Sequence, residues 1–186
     1  DVTLRRERDA RIRQLLDEQR VLFENALVGI MLVQRRRILK CNQRIAELFG
    51  YADPQELVGQ SVEIFYPDRA SFEIFGKGAY GDLARQGSTS REVKMRRRDG
   101  SPLYVLQNGC SLDPVAVFDA PSVWVYTDIT QHRRTEEALR QSRQSFSVAF
   151  ESCPIAASIA SPEDGRFIEV NANYERDFGW TREELI

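Results

Sequence analysis

The sequence predicts an α+β fold: one antiparallel sheet with short helices laid over one of its faces. Three observations predict it. Two apolar runs flank a basic tip in "VGIMLVQRRRILKC" (28–41), the pattern of a tight hairpin. Two further strands meet at Asp99-Gly100, and a third, "SVWVYTDIT", is rich in β-branched and aromatic residues. Short helical segments with their own caps lie between these strands. Strand pairs joined by hairpins, with helices inserted between them, imply one antiparallel sheet with helices on one face.

Along the chain each element has its own signal. "TLRRERDARIRQLLDEQRVLF" has no Gly or Pro, and Ile12, Leu15, Gln19 and Leu22 follow a three-four spacing. That is an amphipathic helix, either a short coiled coil or a helix lying on its own domain. After the first hairpin, Asn42 suits an N-cap, Ile45, Leu48 and Phe49 give an apolar face, and Gly50 ends the helix. Asp53 and Pro54 start another turn, and "SVEIFYPD" a third, stopped before Pro67. Asp68 caps a longer segment, "RASFEIFGKGAYGDLARQG". Its Gly76, Gly78 and Gly81 each cost about 1 kcal/mol relative to Ala and argue against a continuous helix. In the next strand Val93 and Met95 alternate with Glu92, Lys94 and Arg96, as in a sheet with one wet face. Thr130 is placed to cap the final helix, "QHRRTEEALRQSRQSFSVAF".

Composition excludes some function classes. The 186 residues are 42% hydrophobic and 29% charged, with net charge −2 and a pI near 5.6. Such a chain supports a packed core and offers no overall basic character for nucleic acid or anionic lipid. The longest apolar run, "ALVGIMLV", is too short to span a bilayer, and no signal peptide is visible. The chain starts at Asp1, as an excised piece would. Cys41, Cys110 and Cys153 are odd in number and form no CxxC, which points to buried, reduced thiols in a cytoplasmic protein. The clusters Arg35–Arg37 and Arg96–Arg98 read as solvated arginines at hairpins, since no stacking aromatics interleave them. No GxSxG, GxxxxGK[ST] or HExxH occurs, so no catalytic residues are assigned, and no metal site.

The pattern then begins again. "FENALVGIMLV" and "ILKCNQRIAELFGYADPQELVG" align with "FESCPIAASIA" and "FIEVNANYERDFGWTREELI". Asn42 pairs with Asn171, an offset of 171 − 42 = 129. A period this long is that of two tandem domains, each entered by a helix. The second copy lacks a three-stranded half, which leaves Ile155, Ile159, Ile168 and Phe178 without their normal cover.

The block from Asn42 through "LFGY" to Gly59, the "RRRDGS" hairpin, and "DIT" before a charged helix together resemble a PAS domain with its PAC segment. The resemblance covers Leu22 to Thr130 in full and Phe150 to Ile186 in part. It implies a five-stranded antiparallel sheet of order 2-1-5-4-3, flanked by linker helices. The implied organisation is a linker helix (1–21), the PAS domain (22–130), a signalling helix (131–149) and the start of a second copy (150–186). Family members are sensory and dimerisation modules, in bacteria set upstream of histidine kinases or of cyclic-di-GMP cyclases and phosphodiesterases. Val62 stands near the position where light-oxygen-voltage members carry an adduct-forming Cys, which argues against covalent flavin chemistry. The long helix lacks the His of haem-binding members, and the sole histidine, His132, reads as a solvated linker residue.

What remains is an apolar space lined by Leu32, Ile45, Phe49, Ile64, Phe65, Phe72, Phe75, Val105 and Trp124. It either holds a small organic ligand or is simply a filled core. No cofactor is required. The signal exit is assigned to Asp128, Ile129 and Thr130. Thr135, Leu139, Ser142, Phe146 and Ala149 give the exit helix a weak seam for a homodimer. The expected function is a sensory relay to an output kinase or cyclase domain, with no catalysis in this fragment. The alternatives are a passive assembly or spacer module and, behind it, a haem or flavin sensor.

Overall fold

The computed structural model describes residues 2–113 and 115–186, with side chains from Arg8 onward. It divides into two compact units, one ending at Gln131 and one beginning at His132. In the first unit, helix α1 (Val2–Glu24) leads into the hairpin β1 (Gly29–Gln34) and β2 (Arg37–Cys41). The turn residues Arg35 and Arg36 both have positive φ, 49° and 61°. This is the primed geometry that matches strand twist. Side chains other than Gly adopt it at roughly 1–2 kcal/mol per residue, and each arginine finds compensating partners. Arg35 Nε meets Asp119 at 2.8 Å, and Arg36 reaches inward.

Helix α2 (Gln43–Phe49) starts at Asn42 and ends at Gly50, whose φ of 78° is the left-handed C-cap. Two 3₁₀ turns follow, Pro54–Glu56 and Val62–Phe65, the first closed by a capping box between Asp53 and Glu56. Helix α3 (Arg69–Gln86), capped by Asp68, is continuous, contrary to the expectation from its glycines. Packing supplies the reason. A Cβ on Gly76 would stand 2.6 Å from the Arg36 guanidinium carbon, so the missing side chain is where the hairpin's arginine lies.

Strands β3 (Ser88–Arg96), β4 (Pro102–Ser111) and β5 (Ser122–Asp128) complete one antiparallel sheet of order β2-β1-β5-β4-β3. β1 and β5 are adjacent although far apart in sequence, with Met31 opposite Trp124. Helices α2 and α3 cover one face, and Ile45, Phe49, Phe65, Leu83, Leu103 and Val105 are buried there.

The node of this unit is the Asn42 side chain, which is fully buried. Its Oδ1 accepts from Ile30 N–H at 2.9 Å and Ile45 N–H at 3.2 Å. Its Nδ2 donates to Phe23 O at 3.0 Å and Val28 O at 3.1 Å. All four of its hydrogen-bonding positions are thus used, and they join the end of α1, the entry to β1 and the start of α2.

The second unit has helix α4 (Thr130–Glu151, its first two residues belonging to the first unit), hairpin β6 (Ser158–Ala160) and β7 (Phe167–Val170), and helices α5 (Ala172–Phe178) and α6 (Arg182–Leu185). Asn171 repeats the node bond for bond. It accepts from Ala157 and Tyr174 N–H and donates to Phe150 and Ile155 carbonyls, at 2.9–3.1 Å. Glu151 accepts from Ala172 N–H as Glu24 accepts from Gln43 N–H, both at 3.2 Å. Ile155, Ile168 and Phe178 are exposed, and Ile159 is half-buried. Ile12, Leu15 and Leu22 of α1 and Leu139 and Phe146 of α4 are also exposed.

The glycines yield a paired prediction. A Cβ on Gly109 would lie 2.5 Å from the Trp124 ring, while nothing lies within 4 Å of one on Gly81, inside α3. Gly109→Ala is expected to cost about 1–3 kcal/mol through overpacking. Gly81→Ala is expected to stabilise by up to about 1 kcal/mol. Urea denaturation of both variants measures the two signs.

Candidate functional site

Sheet and helices enclose a cavity of about 20 Å³, room for about one water-sized group. Trp124 and Tyr126 of β5 and Gln107 of β4 form its sheet wall. Phe75 and Tyr80 of α3 and Tyr66 face them, and Arg36, Val33 and Val62 close the side by the hairpin. Of the predicted pocket residues, Phe75 and Trp124 line this cavity. Ile45, Phe49, Phe65, Phe72 and Val105 fill the core beside it, with Phe49 stacked on Phe65 at 3.8 Å between centroids. Ile64 packs half-buried against that core. Leu32 is a correction: it lies on the opposite face of the sheet, because its neighbours Met31 and Val33 point into the core. Side chains alternate along a strand, so an error of one position exchanges the faces.

The polar members of the wall were not assigned from sequence. Gln107 is 3% exposed, and its Nε2 donates to Tyr126 Oη at 2.9 Å. Its Oε1 is buried and has no hydrogen-bond partner among the described residues. An unmatched acceptor of this kind costs about 1–3 kcal/mol. Trp124 Nε1 donates to Ser122 Oγ at 2.8 Å, so that donor is engaged. Burial raises the pKa of Tyr66, Tyr80 and Tyr126, keeping these phenols neutral.

In the arginine clusters Arg35, Arg37, Arg96 and Arg98 are exposed, as the solvated reading expects, while Arg36 and Arg97 depart from it. The Arg36 side chain is 18% exposed; its guanidinium lies 3.3 Å from the Phe72 ring centroid, donates to Phe72 O and pairs with Glu73. Arg37 donates to Gly59 O, and Arg96 to Ile64 O. Arg97 spans three elements: it donates to Leu48 O at 3.0 Å, to Pro102 O at 3.1 Å and to Asp128 Oδ2 at 3.3 Å. Arg98 pairs with Glu56 at 2.8 Å. Most of these guanidinium groups therefore serve carbonyls and carboxylates of their own unit. On β3, Arg91, with Arg85 of α3, holds the Asp82 carboxyl below the usual carboxylate range by hydrogen bonding.

At the end of β5, Asp128 and Thr130 form a junction. Asp128 Oδ1 accepts from Thr130 N–H at 2.8 Å. Ile129 N–H donates to Tyr104 O at 2.9 Å. Thr130 Oγ1 accepts from Tyr104 N–H at 3.0 Å and donates to Tyr104 O at 3.4 Å. The cap expected of Thr130 is thus supplied by Asp128, and the threonine instead fastens the first turn of α4 to β4. His132 is exposed, with Glu136 at 3.3 Å.

The cysteines divide. Cys41 is buried, and burial, with Glu24 and Asp53 adding, pushes its thiol up to about 11. Cys153 is half-buried. Cys110 is exposed, which corrects the expectation of buried thiols. It borders an open concavity of about 580 Å³ with Ser88, Ser90, Asn108 and Val123. These are alternate positions that point away from the core. No helix among the described residues is long and apolar enough to cross a membrane.

Comparison with known proteins places this geometry. A family model described as a PAS domain matches residues 10–80. The sensor protein TdiS of Thauera aromatica is 34% identical over 129 residues, which is 69% of this chain and 23% of that protein. The chain thus spans under a quarter of the length of the curated relative it matches. The PAS domain of a LuxR-family transcriptional regulator from Burkholderia thailandensis, solved in complex with ethanol, is 30% identical with a TM-score of 0.57. That match covers 60% of this chain and 96% of the other. A domain of a sensory box sensor histidine kinase/response regulator from Geobacter sulfurreducens matches with a TM-score of 0.51 at 19% identity, covering 63% of this chain and 96% of that one.

Thr130→Val keeps the shape of the junction and removes both bonds to Tyr104. It is expected to cost the first unit about 1–2 kcal/mol, since the partly buried Tyr104 N–H loses its bond to the threonine hydroxyl. A urea titration that leaves stability unchanged would remove the junction from the account.

Proposed function

Because the chain belongs to the PAS domain family, and is a PAS sensory domain, we propose that it senses a small molecule in its core and passes the change to helix α4. One observation carries this reading. Trp124 and Tyr126 line the cavity, and Asp128, at the end of the same strand, holds the first turn of α4. Three alternate residues on one strand face span about 13 Å, so cavity and exit share one short, hydrogen-bonded lever. Arg97 adds a second link, since it ties Asp128 to the end of α2.

The name of the Thauera relative supports a sensor, and the ethanol bound to the Burkholderia domain supports a small neutral ligand. The wider reading is a cytoplasmic module of a bacterial signalling protein, itself without catalysis, serving a histidine kinase or a cyclic-di-GMP cyclase or phosphodiesterase. The exposed apolar residues of α1 and α4 suit a homodimer built on these helices. The repeated asparagine node supports unit two as the opening of a second copy of the domain. Val62 in the cavity wall and the lack of His in α3 favour a sensor without covalent flavin or haem. A visible absorption band in the purified chain would count against that.

The test is hydrogen exchange on the intact chain and on Trp124→Leu, which enlarges the cavity. The expected result is faster exchange at the first turn of α4 than at β3 when each is compared with its own wild-type rate. A change confined to the cavity wall would favour the passive spacer instead. Sedimentation of the same samples, with Leu15→Glu and Leu139→Glu added, reads the dimer: the intact chain is expected to be dimeric and the double variant monomeric. A monomeric intact chain would end the dimer reading.

A further inference from the structure

The cavity has one unmatched polar atom, and its chemistry narrows what the site accepts. Gln107 Oε1 is buried without a hydrogen-bond partner among the described residues. Gln107 itself lines the cavity. Three neighbouring donors are committed: its own Nε2 to Tyr126, Trp124 Nε1 to Ser122, and the Arg36 guanidinium to Phe72 O and Glu73. The neutral phenols of Tyr66 and Tyr80 also line the cavity, and a ligand hydroxyl can accept from such a phenol while it donates to Gln107. The wall therefore presents an acceptor and asks for a donor. An ionised carboxylate brings no donor and leaves that oxygen unmatched. An ammonium group brings donors but meets the Arg36 cation at close range. A hydrocarbon leaves the oxygen unmatched. A neutral hydroxyl satisfies the oxygen without adding charge, and the aromatic rings of Phe75 and Trp124 suit the carbon skeleton behind it.

We propose that the core site selects small neutral alcohols, with the ligand hydroxyl donating to Gln107 Oε1. This rests on the sensory reading above and gives it a ligand class. At about 20 Å³ the cavity holds the hydroxyl and little more. The carbon chain enters by displacing side chains on the hairpin side, where Val62 is only half-buried. Such a displacement acts on the wall that contains β5.

The probes are 1-butanol and its isomer diethyl ether, which matches it in atoms and accepts hydrogen bonds but cannot donate. Each is titrated into the intact chain while the indole N–H resonances of Trp124 and Trp180 are followed by NMR. Trp180 lies in the second unit and serves as the internal control. The expected result is that 1-butanol shifts Trp124 alone and binds at least about tenfold tighter than the ether, about 1.4 kcal/mol. In Gln107→Met, which keeps the length of the side chain, the preference is expected to fall to about one. Equal affinity of wild type for the two isomers would overturn the alcohol class and leave the sensory reading standing. If neither isomer moves Trp124, the ligand class and the small-molecule reading fail together. The wild-type comparison decides the matter even if the variant does not fold.

Discussion

One buried amide organises the first unit. Asn42 has two acceptor and two donor positions, and each is matched to a backbone group. The groups come from places that no regular ladder joins: the last turn of α1, the entry to β1 and the first turn of α2. Buried backbone groups must be paired somewhere. Here one side chain pairs four of them, and so fixes the angle at which helix, strand and helix meet. An apolar residue at position 42 could fill the same volume but would remove the side-chain bonds to Ile30 N–H, Phe23 O and Val28 O, leaving Ile45 N–H only its 3.1 Å bond to the backbone carbonyl of residue 42. The same arrangement at Asn171, with different neighbours in sequence, shows that the constraint belongs to the motif and not to a local accident.

On that frame the arginines act as clasps. Arg36 passes from a strained turn across the cavity rim to Phe72, and α3 makes room with Gly76. Arg97 gathers the end of α2, the start of β4 and the end of β5. A guanidinium suits these tasks because it offers several donors in a fixed plane and keeps its charge when half-buried. Arg36 holds the wall at the cavity rim, and Arg97 holds it at the far end of β5.

Much of this was legible in the sequence, and the failures have physical causes. Hairpin tips, caps and strand alternation are local properties, so the strands, their antiparallel pairing and the cap role of Asn42 could be read from neighbouring residues. The sheet order came from family resemblance. The other three bonds of Asn42 are not local and left no mark on the pattern. Leu32 reads as a core residue because β1 is apolar from Ile30 through Val33, which hides the two-residue period; a continuous apolar run does not say which face is inside. The glycines of α3 read as breaks because propensity takes no account of the arginines packed against two of them, Arg36 at Gly76 and Arg91 at Gly78; Gly81 faces open space. Gln107 was missed although a signal existed. Leu103 and Val105 alternate inward on β4, and the next residue in that series is Gln107. A polar residue in phase with core residues is the trace of a buried polar site.

The central claim is that α1, the first hairpin and α2 are held by one node and therefore open together. Native-state amide exchange at Ile30 and Ile45 tests it most directly, since both N–H groups donate to Asn42 Oδ1, that of Ile45 shared with the Asn42 backbone carbonyl. The account predicts that the two amides share one opening free energy, and that Asn42→Asp lowers both by the same amount. Exchange of Ile45 with its helix alone, while Ile30 keeps its protection, would contradict it.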